Sequence, residues 1–189
     1  LKNRVTAKSR VFVYYAGHGA PNPATGEGFL VPFDGDPSYT AETAFPLKRL
    51  YDSLGELPAR SVLVAIDSCF SGRGGRSLLA KGARPLVSVK SPPISSANTV
   101  VMTGTGGDQI STSHPDEEHG LMTYFLLKGL HGAADADKDG KVTTKELFSF
   151  LAPEVERTAR RQNVEQTPSL SPALDRIGER GEESWIRLR

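Results

Sequence analysis

Two short motifs hold the residues best equipped for chemistry. Tyr14-Tyr15-Ala16-Gly17-His18-Gly19 closes the apolar run Val11-Phe12-Val13, and Asp67-Ser68-Cys69-Phe70-Ser71-Gly72 closes Val62-Leu63-Val64-Ala65-Ile66. Cys69 is the single cysteine, and His18 is one of four histidines. A thiolate is a strong nucleophile, and a nearby imidazole can manage the protons of acyl transfer. The attack also needs donors for the oxyanion. The backbone N–H groups of Gly19 and Cys69 suit that task, because small residues leave the approach open. Gly17 and Gly72 allow sharp turns beside the two reactive groups. The bland alternative is a Cys69 that merely fills core space and a His18 that serves as a structural hydrogen-bonding group. Placement of both at the ends of apolar runs, with glycines alongside, favours chemistry. A phosphatase role fails on register: position 75, where phosphate binding needs Arg, is Gly75, and Arg73 and Arg76 miss it. No G-x-x-x-x-G-K-[ST] loop is present.

For the two motifs to meet, their apolar runs must be strands that end at the same edge of one sheet. In open parallel sheets, ligands bind just beyond the carboxyl ends of strands. The pattern predicts buried strands at residues 11–16, 62–66 and 99–103, a short strand within 28–32 and a last one at 185–188. Leu47, Leu50, Tyr51 and Leu54 keep helical spacing, with Gly55 as a stop. Helices are also expected at 121–130, ending at His131-Gly132, and at 144–161, interrupted near Pro153. Residues 19–43 and 73–93 read as loops. Alternating strands and helices imply an α/β fold with a mostly parallel sheet.

Composition narrows the class. The 189 residues fit one domain with a sizeable core. Lys and Arg number 23 against 22 Asp and Glu, so the charge balance argues for neither nucleic acid nor an anionic membrane as partner. A single cysteine excludes an internal disulfide and a multi-cysteine zinc site. No apolar run reaches the roughly 18 residues that span a bilayer, and no signal peptide is visible. Residues 1–10 look like a processing boundary. The compartment is not fixed, with the cytoplasm favoured.

The motifs resemble the His-Gly and Asp-x-Cys-x-x-Gly signatures of the caspase and metacaspase superfamily, in a bacterial caspase-like branch. Cys69 follows His18 by 51 positions, and caspases space the pair by about 50. Thr103-Gly104-Thr105-Gly106-Gly107-Asp108-Gln109 is similar to the metacaspase segment lining the primary specificity pocket. Gly120-Leu121-Met122-Thr123-Tyr124 resembles the helix start that follows, and Gln166-Thr167-Pro168 a Q-x-P element near the C-terminus. The resemblance runs from Val11 to Pro168. It implies a single caspase-like peptidase domain over 1–189, a sandwich of helices around a mostly parallel sheet. The strands that precede the His-Gly motif in the family have no counterpart here.

It further implies a cysteine endopeptidase. Cys69 would attack the scissile carbonyl, His18 would protonate the leaving amine, and the N–H groups of Gly19 and Cys69 would hold the oxyanion. Asp67 stands where metacaspases have Asp and Asp-cleaving caspases have Gln. A carboxylate in a partly desolvated pocket attracts Arg or Lys and repels acidic side chains. Protein or peptide substrates with Arg or Lys at P1 are therefore expected, with Thr103 adding a hydroxyl to the pocket. The alternative for Asp67 is a cap on a turn or helix start. Arg73, Arg76, Lys81, Arg84 and Lys90 are candidate self-cleavage sites, or simply a solvated basic loop. The chain's own N-terminal segment or a regulatory domain is a further expected partner. The rivals are an inactive caspase-like calcium-binding interaction module and a Cys-His hydrolase acting on small amides.

One motif stands apart. Residues 135–146 fit the twelve-residue calcium loop D-x-D-x-D-G-x5-E. Asp135, Asp137 and Asp139 supply carboxylates, Lys141 a carbonyl, Thr143 a water contact and Glu146 a bidentate carboxylate. Calcium is the one cofactor expected, outside the chemistry itself. The alternative is an Asp-rich turn that caps the next helix at Thr143 or Thr144, with Glu146 nearby.

Overall fold

A computed structural model describes residues 3–22, 25–36, 39–70, 92, 94, 96–106, 109, 111–114 and 119–188. Three strands run parallel at the centre of a sheet: β1 (Arg10–Pro21), β4 (Ser61–Cys69) and β5 (Thr99–Thr103). β2 (Gly28–Val31), β3 (Phe45–Pro46) and β7 (Ser169–Ser171) extend it with antiparallel pairings. The order among the described residues is β3-β2-β1-β4-β5-β7. β6 (Lys141–Thr143) and β8 (Ser184–Arg187) form a separate antiparallel pair. The helices are α1 (Thr40–Thr43), α2 (Leu47–Gly55), α3 (Leu121–Lys128) and α4 (Thr144–Arg161). This is the α/β architecture expected from the sequence, parallel at the centre, with antiparallel strands added at both edges.

β4 sits at the centre because it is apolar on both faces, as a buried parallel strand must be. Every residue from Val62 to Ile66 is at most 1% exposed. Its side chains alternate between two cores. Leu63 and Ala65 pack with Leu121 and Phe125 of α3 and with Leu147 and Leu151 of α4. Val62, Val64 and Ile66 pack with Tyr51 and Leu54 of α2. The sheet is thus clamped between α2 on one face and α3 with α4 on the other.

Two elements depart from the sequence expectation, and a third ends at Gly132 as expected but through an unforeseen π turn. β1 continues to Pro21 because its second half gains a new partner: His18 to Pro21 pair with Val31 to Gly28. The pairing holds residues 17–21 extended despite their glycines. α4 is not interrupted at Pro153. Leu147, Phe148 and Leu151 before it and Val155 and Ala159 after it are all buried on one stripe, and Pro153 faces solvent. Packing on both sides therefore outweighs the one missing N–H. α3 stops at Lys128, and a π-helical turn over Gly129–Ala133 completes the segment. Gly132 adopts φ 112°, a left-handed value that suits glycine and ends the helix.

Candidate active site

Parallel pairing of β1 with β4 places His18 directly beside Cys69. Neighbouring strands lie about 4.8 Å apart, so the two residues share the carboxyl edge of the sheet. Alternation also fixes the face. Tyr14 pairs with Ala65, and its hydroxyl shares a 2.7 Å hydrogen bond with Thr123 Oγ1 of α3. His18, four residues on, and both Asp67 and Cys69 therefore belong to the α3 face.

The glycines of the first motif make room for this meeting. A Cβ on Gly19 would lie 2.6 Å from the Phe70 ring and 2.7 Å from Ser68 Oγ, so the second motif presses against the first at that point. A Cβ on Gly17 would lie 2.8 Å from Tyr15 Oη. The Tyr15 hydroxyl donates to the carbonyls of His18 (2.8 Å) and Val31 (3.1 Å), tying the His-bearing end of β1 to β2. Burial pushes this phenol above its ordinary range.

Cys69 is fully enclosed. Its thiol donates to the Gln109 carbonyl at 3.5 Å, and its sulfur accepts the Ser111 N–H at 3.3 Å. Asp67, 1% exposed, accepts from the Thr123 N–H (3.0 Å), the Thr123 hydroxyl (2.5 Å) and the Ser111 hydroxyl (2.9 Å). Thr123 is the third residue of α3, so Asp67 caps the helix from a distant strand, where a carboxylate is favoured by the exposed N–H groups.

Thr103 is not brought to Asp67. It pairs with Ile66, which alternation assigns to the α2 face, and its hydroxyl bonds Ser169 Oγ at 2.7 Å and the Thr105 carbonyl at 3.1 Å. Among the described residues, the hydroxyls on Asp67 come from Ser111 and Thr123. Sequence reasoning passed over Ser111, a serine in a polar stretch with nothing local to mark it. Gly104 has a visible reason: a Cβ there would meet Met122 at 3.2 Å and Asp67 Oδ1 at 3.4 Å. The basic residues Arg73, Arg76, Lys81, Arg84 and Lys90, and Gly72 with them, lie outside the described residues.

The caspase-domain family model matches residues 2–176. The chain belongs to the caspase-domain family. A comparison with curated proteins finds no match. Membership makes this caspase domain a member of a cysteine-peptidase type of family, whose substrates are proteins. No helix among its described residues is long and apolar enough to cross a membrane.

The acidic loop lies between α3 and α4. Oxygens of Asp135, Asp137 and Asp139 fall within 4.8 Å of one another, and Gly140 turns at φ 78°. The loop is laced internally. The N–H groups of Asp139, Gly140 and Lys141 donate to Asp137 Oδ1, Asp135 Oδ2 and Asp139 Oδ1 respectively. Lys141 Nζ bonds Asp139 Oδ2 at 2.8 Å, and that contact holds the Asp139 carboxyl below its usual range. Thr143 and Glu146 form a capping box on α4, and Glu146 Oε1 also accepts the Ala136 N–H. Burial pushes the Glu146 carboxyl up, but hydrogen bonds from Thr143, Ala136 and Asp137 together hold it below normal.

Proposed function

We propose that this caspase domain is a cysteine endopeptidase that cleaves after Arg or Lys. The Cys69 thiolate attacks the scissile carbonyl, and the N–H groups of Gly19 and Cys69 hold the oxyanion. His18 takes the Cys69 proton as the thiolate forms, the C–N bond breaks as His18 passes that proton to the departing amine, and water hydrolyses the thioester to the free acid and the thiol. One observation carries this reading. His18 and Cys69 are register partners at the shared edge of adjacent parallel strands, on one face with Asp67. Asp67 supplies the anionic group that selects a basic side chain, since attraction between unlike charges is strong in a desolvated pocket.

A chloromethyl ketone peptide with Arg at P1 tests it. One adduct on Cys69, seen by mass spectrometry, is expected, and none on Cys69→Ala. The Asp-P1 analogue is expected to label at least about tenfold more slowly, a ratio that corresponds to about 1.4 kcal/mol. Equal labelling by both peptides would overturn the basic preference.

We also propose that Asp135, Asp137, Asp139, the Lys141 carbonyl and Glu146 hold calcium. Asp135 Oδ1 supports this: it is buried without a hydrogen-bond partner, a costly state that a cation relieves. Bound there, the ion would join the loop to the first turn of α4. The capping box and the Lys141 ion pair order the same loop without metal, so the gain is moderate. Titrating calcium into chelator-treated protein is expected to raise Tm by at least about 5 °C at a hundredfold excess over Kd. An unchanged Tm would leave the capping box, the Lys141 ion pair and the loop's own N–H bonds as its organisers.

A further inference from the structure

Between β5 and α3, Gln109 and Ser111 lie against the candidate site. Ser111 sits on Asp67 and on Cys69, and the Gln109 carbonyl sits on the same sulfur. The described residues of this stretch are held from outside. Gln166, 1% exposed, uses both ends of its amide on it. Its Nε2 donates to the Gly104 carbonyl at 3.0 Å, and its Oε1 accepts the Thr112 N–H at 2.9 Å. The next residue repeats the tie: Gln109 Oε1 accepts the Thr167 N–H at 2.8 Å, and Gln109 Nε2 donates to Thr167 Oγ1 at 3.2 Å.

We propose that Gln166 is a positioning residue for the peptidase site. One buried side chain joins Gly104 to Thr112 and so sets where Ser111 and Gln109 fall on Asp67 and Cys69. A primary amide offers a donor and an acceptor at the tip of one flexible stem, which is what these two bonds use. Glutamate would set an oxygen against the Gly104 carbonyl. Methionine would fill the volume and leave the Gly104 carbonyl and the Thr112 N–H without their partner. The catalytic consequence rests on the function proposed above, whereas the consequence for access to the Cys69 thiol does not.

The test compares Gln166→Met with Leu170→Ala. Leu170 is a buried residue of β7 that pairs with Met102 and makes neither amide bond, so its variant measures the effect of lost stability alone. Cys69 is the only thiol, so iodoacetamide labelling followed by mass reports it directly. Each variant is assayed at the same interval below its own Tm. Gln166→Met is expected to label at least about tenfold faster than wild type and to lose at least about tenfold in kcat/KM on an Arg-P1 peptide. Leu170→Ala is expected to stay within about threefold on both. A tenfold loss is the scale expected when a group near the chemistry is slightly misplaced. If Gln166→Met labels and cleaves like Leu170→Ala, the proposal is overturned while the peptidase reading stands. Fast labelling of Gln166→Met beside a wild type that never cleaves supports the control of Cys69 by Gln166 and overturns the peptidase reading alone.

Discussion

Cys69→Ala is expected to reduce cleavage of an Arg-P1 peptide to background, and His18→Ala to lower kcat by about a thousandfold. The two losses differ in kind. Without the thiol no covalent intermediate forms, so nothing remains to be catalysed by this route. Without the imidazole the thiol is still present, but the leaving amine must find its proton in water, and positioned general acids contribute about 10²–10⁴-fold. Neither change should unfold the domain. Removing the enclosed sulfur costs on the order of 1 kcal/mol, which for a chain of this size is a Tm shift of a few degrees. His18 is only partly buried and belongs to neither core cluster, so its loss leaves both cores intact. Circular dichroism and melting curves beside the turnover assay separate lost chemistry from lost fold.

Asp67 is expected to show two roles that different substitutions separate. Asp67→Ala removes the acceptor for the Thr123 N–H, the Thr123 hydroxyl and the Ser111 hydroxyl at once. Buried donors left without partners cost about 1–3 kcal/mol each before relaxation, so a net loss of about 3 kcal/mol and a Tm lower by about 6–12 °C are expected. Asp67→Asn keeps the shape and one acceptor oxygen but removes the charge. It should melt within about 5 °C of wild type, yet lose about a hundredfold in kcat/KM for Arg over a neutral P1 residue. That is the scale of one charge pair in a partly desolvated pocket. A peptide panel differing only at P1, run beside thermal melts of both variants, reads the two effects. Unchanged P1 selectivity in Asp67→Asn would leave Asp67 as a helix cap alone.

The strand ends were legible because central parallel strands are apolar on both faces, so the run from Val62 to Ile66 announces itself without context. The same rule made the meeting of His18 and Cys69 foreseeable, since both follow such runs. β1 was harder. Residues 17–21 look like a loop by composition, and only the distant partner strand at Gly28–Val31 makes them extended. Pro153 misled for a related reason: its local cost is fixed, but the buried stripe that outweighs it needs β4 and α3 in place. Thr103 shows the limit of adjacency. It lies near Asp67 along the sheet, yet strand alternation turns it to the other face, and the second hydroxyl on Asp67 comes from Ser111, far along the chain. Gln166 stood inside a recognised motif, but its two bonds to Gly104 and Thr112 became visible only once β5 and the segment after it were folded.

The most direct measurement is turnover of paired fluorogenic peptides, alike except for Arg or Asp at P1, by the wild-type chain and by Cys69→Ala with calcium present. The account predicts cleavage after Arg, at least about tenfold slower cleavage after Asp, and none by Cys69→Ala. Cleavage that survives in Cys69→Ala, or that prefers Asp, would contradict it.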